Sequence, residues 1–322
     1  MRNKFRRKLD RRNFLILLTS LVVIFCAGVM QLLQERGIPA WEKLFDVCAV
    51  RDFSSSAEDY PMSVHVLDVG KADAIFVTCE GKNILIDAGE TDIHKAAYEY
   101  LRRRNVKELD FLVLTHQHSD HVGCMAHIVD RLNVKSVTMP YLKDDMVPTL
   151  KSYERLLLAI DRKNMKIKKP EPGSSFDIGS LKVDIFGPVK QYDDMNSNSI
   201  VLKLTYKNRS FLFTGDAGKE SERDMIAMGY NLKADVLKVG HHGSKTATSQ
   251  AFLNRVQPSY AVISVGEDRN KLPKKEIIDR LKKNNIKTYR TDLDGTVVLA
   301  TDGDNIKVFC EKEEKLNNAL VA

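Results

Sequence analysis

The chain has 322 residues, of which 43% are hydrophobic and 29% are charged. This composition is typical of a folded protein and excludes a collagen-like or disordered chain. Its five cysteines contain no Cys-x-x-Cys pair, so neither a zinc ribbon nor a dense disulfide framework is indicated.

The basic excess lies at the start of the chain. Residues 2–12 carry seven basic side chains and a single acidic one, Asp10. Without them the formal net charge falls from +7 to +1. The overall charge is therefore no sign of a nucleic-acid footprint, which needs a basic stripe on the folded part.

An uncharged stretch follows the basic residues. Residues 14–33 contain no Asp, Glu, Lys or Arg, and twenty helical residues are long enough to span a bilayer. We therefore predict a single-pass cell-membrane protein with a transmembrane helix at 14–33. The positive-inside rule places residues 1–13 in the cytoplasm and the remainder of the chain outside. A cleaved signal peptide is the alternative, although Ala27-Gly28-Val29-Met30 is a poor cleavage site.

Residues 34–60 have no strong period, and we predict a linker or stalk there. From Met62 onward, short apolar runs bounded by turn residues predict strands, and helical spacing appears between them. The predicted strands are 64–69, 74–77, 83–87, 110–115, 134–140, 181–186, 199–206, 209–214, 235–239, 260–265, 286–290, 295–300 and 305–309. The predicted helices are 92–105, 122–132, 147–163, 218–228, 248–256 and 274–284. This order predicts one layered α/β domain over 61–310, with two sheets and outer helices, and a tail at 311–322.

Four metal-ligand side chains follow the apolar run 111–114. They are His116, His118, Asp120 and His121. Imidazole and carboxylate groups are ligands of zinc, iron(II) and manganese. The chain has only eight histidines, three of them here, so a solvated loop that is His-rich by chance is a poor explanation. The spacing is too tight for every side chain to reach one ion, and we predict two adjacent metal sites.

Two later apolar runs also end in metal-ligand residues. The run 211–213 is followed by Thr214-Gly215-Asp216, and the run 236–239 by Gly240-His241-His242-Gly243-Ser244. The two oxygens of an aspartate can bridge two ions, and one further histidine can complete a site.

Taken in order, these motifs resemble the metallo-β-lactamase superfamily, with Leu85-Ile86-Asp87-Ala88-Gly89 as its first member. Four further segments are similar to the hydrolase domain of the ComEC competence proteins and their stand-alone relatives. They are 67–74, 196–202, 237–246 and 290–295. The resemblance covers nearly all of 62–309 and implies a metallo-β-lactamase-like αβ/βα sandwich.

The resemblance also implies ligand roles. His116 and His118 would hold one divalent ion, zinc or manganese, and Asp216 would bridge it to a second. The second ion would be held by Asp120, His121 and one histidine of the pair at 241–242. Of that pair we favour His241, which is nearer the strand, and we expect His242 to support it or to contact substrate.

Further residues are expected around these ligands. Asp87 would orient a ligand, and Asp73 and Asn198 would also lie just outside the ligand set. Ser244 and Lys245 would offer a hydroxyl and a cation to an anionic substrate, unless Ser244 or Thr248 merely caps a helix. The residues expected to take part in catalysis are Asp120, Asp216, His242, Ser244 and Lys245.

One departure from many superfamily members and two from the ComEC group are visible. Its Gly-Gln-Gly-Asp becomes Gly70-Lys71-Ala72-Asp73, and its Asn…Gly-His-Pro becomes Asn270-Lys271-Leu272-Pro273. The additional metal-site histidine of many superfamily members is also missing, because the one histidine between 121 and 216 is His127, for which we expect a core or surface role.

We therefore predict a membrane-anchored, extracytoplasmic, binuclear metallohydrolase, a phosphodiesterase or nuclease with DNA as the first candidate substrate. Two adjacent cations would activate a shared water as the nucleophile. The near-neutral domain keeps a cell-envelope phosphodiester, such as phosphorylcholine-decorated teichoic acid, as the alternative substrate. From another class, the substitutions at Lys71, Ala72 and Leu272 keep open a non-catalytic binding or regulatory module.

Overall fold

The computed structural model describes residues 11–35, 57–91, 95–267 and 269–313. The chain divides into two units, Met1–Asp52 and Phe53–Ala322. Most of the predicted linker lies outside the described residues, as do 1–10 and 314–322.

The described part of the first unit is one helix, α1, over Arg11–Glu35. Of the helices in the described ranges, none combines the length and the apolar character that crossing a membrane requires. The predicted transmembrane helix at 14–33 is therefore wrong. Helix α1 covers the predicted span, so the correction concerns the membrane-crossing character and not the helix itself.

The second unit contains two large sheets and one small one. The first sheet has the strand order β17-β16-β1-β2-β3-β5-β7-β8, the second β15-β14-β13-β12-β11-β10-β9, and the third pairs β4 with β6. The strands are β1 Met62–Val66, β2 Ala74–Cys79, β3 Lys82–Ala88, β4 Glu108–Leu109, β5 Phe111–Val113, β6 Asn133–Val134, β7 Val137–Thr138, β8 Ile167–Lys168, β9 Ser175–Ile178, β10 Leu181–Gly187, β11 Val201–Tyr206, β12 Arg209–Phe213, β13 Val236–Lys238, β14 Tyr260–Ile263, β15 Lys287–Arg290, β16 Val297–Thr301 and β17 Ile306–Cys310.

Helices cover the outer faces of the two large sheets. In chain order they are α2 Ala96–Arg103, α3 Ser119–Val122, α4 Met125–Arg131, α5 Lys151–Arg162, α6 Lys219–Ala227, α7 Gln250–Val256, α8 Lys275–Lys283 and α9 Thr291–Asp294. Helix α5 shows the reason for their placement, since Tyr153, Leu156 and Ile160 recur at helical spacing and are buried.

The hydrophobic core has three layers, as an αβ/βα sandwich requires. The middle layer joins the two sheets and includes Ile86, Val113, Phe213 and Val236. A second layer lies between the first sheet and helices α2, α4 and α5. A third lies between the second sheet and helices α6, α7 and α8. The predicted sandwich is thus confirmed.

Each large sheet is antiparallel on one side and parallel on the other. Strands β3, β5, β7 and β8 are parallel to one another, and so are β12, β13, β14 and β15. Ligands of α/β proteins bind beyond the carboxyl ends of such strands. The predicted metal-ligand residues lie just beyond the ends of β5, β12 and β13.

The observed elements differ from the predicted ones in detail. The helix predicted at 122–132 is two helices, α3 and α4, that meet at Gly123 and Cys124. Strand β9 was not predicted, because its residues are mostly exposed and four residues are too few for their alternation to stand out. Ala57 and Tyr60, predicted as linker, pack against Phe309 of β17.

At Gly123, just after the histidine cluster, the backbone packs closely against the segment 89–91. Its N–H donates to the Gly89 carbonyl at 2.9 Å. A Cβ atom at this position would lie 2.1 Å from the Glu90 carbonyl carbon and 2.2 Å from the Thr91 nitrogen. These neighbours are backbone atoms, so a side chain can be accommodated only if one segment moves.

We expect Gly123→Ala to lower the free energy of unfolding by about 3 kcal/mol, the upper range for overpacking. The control is Gly229→Ala, where φ is +72° and nothing lies within 4 Å of the added Cβ, so only a backbone cost of about 1 kcal/mol is expected. Urea unfolding of both variants measures the difference. Equal losses would contradict the close approach at Gly123.

Candidate metal centre

The carboxylate of Asp216 is the centre of the site. It is buried, and its Oδ2 faces the Nε2 atoms of four imidazoles. The separations are 3.9 Å to His116, 3.6 Å to His121, 3.7 Å to His241 and 3.7 Å to His242. Two ligands of one ion, each about 2.0–2.2 Å from it, lie about 3–4 Å apart. The spacing is thus that of a ligand set.

Gly215 allows Asp216 to reach this place. Its φ is +49°, and a Cβ there would lie 2.9 Å from the Thr115 side chain and 3.1 Å from Ser199 Cβ. Glycine is the residue that tolerates both the left-handed backbone and the contact. The Asp216 N–H donates to Ser199 Oγ at 3.0 Å, which fixes the orientation of this segment.

His121 is oriented by Asp87. Its Nδ1 lies 2.7 Å from Asp87 Oδ2, and the Asp87 carboxylate also accepts from the Thr115 N–H at 2.7 Å and from Thr115 Oγ1 at 2.6 Å. Donation from Nδ1 to a carboxylate directs the Nε2 lone pair to the centre, as in metal sites with a carboxylate behind the ligand. Burial lowers the pKa of His121, but the charges of Asp87 and Asp216 outweigh it and raise this pKa well above its usual value.

His242, rather than His241, is the buried member of the pair. Its Nδ1 donates to the Ser264 carbonyl at 3.0 Å, and its Nε2 lies 3.5 Å from Asp120 Oδ2. The side chain of His242 is fully buried, whereas that of His241 is 24% exposed and pairs its Nδ1 with Thr246 Oγ1 at 3.0 Å. Both imidazoles reach Asp216 at the same distance, so the choice of His241 as the ligand stays a prediction, while His242 is the more buried ring.

His116 and His118 lie next to each other in the centre. His116 Nε2 and His118 Nδ1 are 3.0 Å apart, which is close to the separation of two nitrogens on one tetrahedral ion. His116 Nδ1 is 3.3 Å from Ser199 Oγ. Burial lowers the pKa of His116 well below its usual value, and the His121 charge lowers it further.

Ser199, which the sequence did not single out, supports this side of the centre, and Asn198 does not. The Asn198 side chain is buried among the backbone groups of another loop. Its Nδ2 donates to the Tyr192 and Asp194 carbonyls, both at 2.8 Å, and its Oδ1 accepts from the Tyr192 N–H at 3.0 Å. Asn198 and Ser199 are adjacent, and their side chains face in opposite directions. The Asn-Ser-Asn-Ser sequence alone does not indicate which of the two faces the centre.

Asp120 joins the centre to a cation. Its Oδ2 accepts from Lys71 Nζ at 3.1 Å, and the Lys71 side chain is 30% exposed, so this lysine touches both the centre and solvent. Burial raises the pKa of Asp120, but the neighbouring imidazoles of His242 and His121 lower it far below the usual range.

Two of the expected substrate contacts lie at the rim of the site. The Ser244 hydroxyl pairs with Thr246 Oγ1 at 2.9 Å, and Lys245 is exposed. Neither Ser244 nor Thr248 caps the next helix. Ser249 is the N-cap of α7 and accepts from the Phe252 N–H at 3.2 Å, while Thr248 Oγ1 accepts from the Gly240 N–H at 3.1 Å.

Three buried atoms of the centre have no hydrogen-bond partner among the described residues. They are His121 Nε2, His242 Nε2 and Asp216 Oδ1. Unpaired buried polar atoms are costly, so each calls for an explanation. A metal ion would explain all three, because these atoms belong to two groups whose ligand atoms lie within 4.8 Å of one another. One group is His116, His121 and Asp216, and the other is Asp120, His121 and His242. This nitrogen and oxygen donor set fits divalent metal ions.

The chain is similar to known proteins over the region that builds this site. Residues 67–267 match the family model described as the metallo-beta-lactamase superfamily. ComE operon protein 3 of Bacillus subtilis (strain 168) is 31% identical over 73% of this chain and 32% of its own length. Recombination protein 2 of Haemophilus influenzae is 30% identical over 76% of this chain and 29% of its own length. The chain thus spans about a third of the length of these curated relatives.

A solved structure shares the fold. CmlA, a diiron beta-hydroxylase from Streptomyces venezuelae, superposes with a TM-score of 0.53 at 13% identity over 75% of this chain and 54% of its own length. Identity at this level indicates the fold alone. Together, the family match over 67–267 and the similarity to ComE operon protein 3 and recombination protein 2 show that the chain belongs to the metallo-beta-lactamase superfamily and is a relative of ComEC.

Proposed function

We propose that the chain is a binuclear metal-dependent phosphodiesterase, with DNA as the first substrate to test. The observation that carries the proposal is the convergence of four imidazole Nε2 atoms on Asp216 Oδ2 at 3.6–3.9 Å. The names of the relatives, a competence protein and a recombination protein among them, support nucleic acid as the substrate.

The ligand set divides between two ions around Asp216. His116 and His118 would hold the first ion, and Asp120, His121 and His242 the second, with Asp216 between them. Zinc and manganese both suit these donors. When bound, a pair of such ions lowers the pKa of water and neutralises charge on a phosphoryl group.

The residues of the chain then position the substrate. Lys71 Nζ, beside Asp120, would bind a phosphoryl oxygen and share the charge that develops on it. His241, whose Nε2 lies 3.7 Å from Asp216 Oδ2 and whose ring is partly exposed, faces the centre from the solvent side. It would orient the phosphodiester rather than hold an ion.

A cationic rim favours an anionic substrate. The loop at 269–274 adjoins the His-His-Gly turn, because the Lys274 N–H donates to the Gly243 carbonyl at 2.9 Å and Pro273 packs against Gly243. This loop and the segments beside the centre carry five cations. Lys245, Arg269 and Lys271 are exposed, and Lys71 and Lys274 are partly exposed. A phosphate backbone is recognised by such lysine and arginine side chains.

Removal of a ligand tests the centre. We expect His116→Ala and Asp216→Ala each to lower the hydrolysis of bis(p-nitrophenyl) phosphate more than about 100-fold, beyond the loss typical of residues behind the ligands. The variants should also lose metal by elemental analysis. His127→Ala is the matched control, because this histidine packs edge-on against Tyr98 with ring centroids 4.6 Å apart and should leave turnover unchanged. Metal-loaded wild type that hydrolyses no phosphodiester would refute the proposal.

A Lys71 variant distinguishes an effect on substrate binding from an effect on metal binding. We expect Lys71→Ala to lower kcat/KM for DNA about tenfold or more, since hydrogen bonds to charged groups contribute about 1.5–3 kcal/mol. Metal affinity should stay equal or rise, because a cation beside Asp120 is removed. The control is Lys82→Ala. Lys82 lies on β3, and its Nζ is 3.2 Å from Asp110 Oδ1. Loss of metal with unchanged KM would show that Lys71 supports the ligands instead.

A further inference from the structure

A buried ion pair lies behind the candidate metal centre. Lys238, the last residue of β13, is 1% exposed, and its Nζ lies 2.9 Å from Oδ2 of Asp73, which is equally buried. Along a strand, residues two apart face the same side, and Val236 packs in the core between the two sheets. Lys238 therefore extends into a layer that the strand otherwise fills with apolar side chains, where an unpaired charge would be very costly.

The carboxylate that Lys238 neutralises faces His242. Asp73 Oδ1 lies 3.7 Å from His242 Nδ1, which donates to the Ser264 carbonyl. That carbonyl sets the direction of the Nδ1–H group, and Asp73 adds negative charge behind the same edge of the ring. Both effects direct the Nε2 lone pair of His242 to the centre.

Asp73 also connects the segments that carry the other ligands. Its N–H donates to the Asp120 carbonyl at 3.0 Å, and its carbonyl accepts from the Gly89 N–H at 2.7 Å. The side chains of Asp73, Asp87 and His121 offer atoms within 4.8 Å of one another. Two buried carboxylates this close repel each other, and Lys238 supplies the cation that offsets their charge.

We propose that Lys238 is a positioning residue of the second metal site. It holds the Asp73 carboxylate behind His242 and beside the Asp87–His121 pair, and so keeps both imidazoles directed to the ion that we assign to Asp120, His121 and His242. The inference rests on the binuclear centre proposed above. It concerns metal affinity, which is measured without turnover.

The chain offers a matched control in Lys203. This lysine lies on β11 of the same sheet, is 5% exposed, and donates to the backbone carbonyls of Asn231 and Lys233. It is as buried as Lys238 but contacts none of the ligand residues. Replacement of either lysine by methionine removes a buried cation of similar length, and only one of them lies behind the centre.

The test is metal binding to the full-length Lys238→Met and Lys203→Met variants. Zinc affinity for the two sites is measured by competition with a chromophoric chelator, and the second site is followed by its cobalt(II) absorption bands. We expect Lys238→Met to weaken the second site by about tenfold or more, as for residues behind metal ligands. The zinc affinity of the first site in Lys238→Met, and of both sites in Lys203→Met, should change less than about threefold. Substitutions that share no partner with a site have small effects on it.

Lys238→Met leaves a buried carboxylate without its partner and could prevent folding, so a second variant is needed. The double variant Lys238→Met/Asp73→Asn replaces the ion pair by a neutral pair of similar shape. It should fold and still bind the second ion about tenfold more weakly. Wild-type affinity in either variant, or equal weakening in Lys203→Met, would overturn the proposal. Two tightly bound ions without phosphodiester turnover would instead contradict the proposed function alone.

Discussion

The structure depends on one electrostatic constraint, which is that a carboxylate and four imidazoles share a buried space with few internal hydrogen bonds. Asp216 Oδ2 has the four Nε2 atoms at 3.6–3.9 Å, beyond hydrogen-bond distance. Such an arrangement is costly in an apolar interior unless a further partner satisfies the free atoms. Divalent cations satisfy them all at once, and the surrounding groups are placed to support that role. Asp87 holds His121, the Ser264 carbonyl holds His242, and Ser199 holds both His116 and the Asp216 backbone.

The fold brings these groups together by joining two half-parallel sheets. Each sheet delivers metal-ligand residues from the carboxyl ends of its parallel strands, so the cluster after β5 in the first sheet meets Asp216 and the histidine pair of the second. The apolar layer between the sheets fixes their separation, and Gly215 and Gly123 allow the loops to approach without a side chain between them. The geometry of the centre is therefore a consequence of sheet packing, with loops adding the rim that contacts solvent.

Much of the fold could be predicted from the sequence, because apolar runs indicate the strands and the His and Asp residues after three of them lie together at the strand ends. The sequence could not show which of two neighbouring residues faces the centre. His241 and His242 both adopt positive φ, 50° and 51°, and only the packing of the turn decides which ring is buried. Ser199 and Asn198 pose the same problem. Lys238 was overlooked because one lysine in an apolar strand shows its role only when Asp73 is found opposite.

The central claim is that two ions lie on either side of Asp216. Crystals grown with manganese or zinc, with anomalous diffraction measured at the absorption edge, test it most directly. The account predicts two anomalous peaks per chain, about 3.5–4 Å apart as in other two-metal sites. One should be bounded by His116 and His118, and the other by Asp120, His121 and His242. A single peak, or peaks elsewhere in the chain, would contradict it.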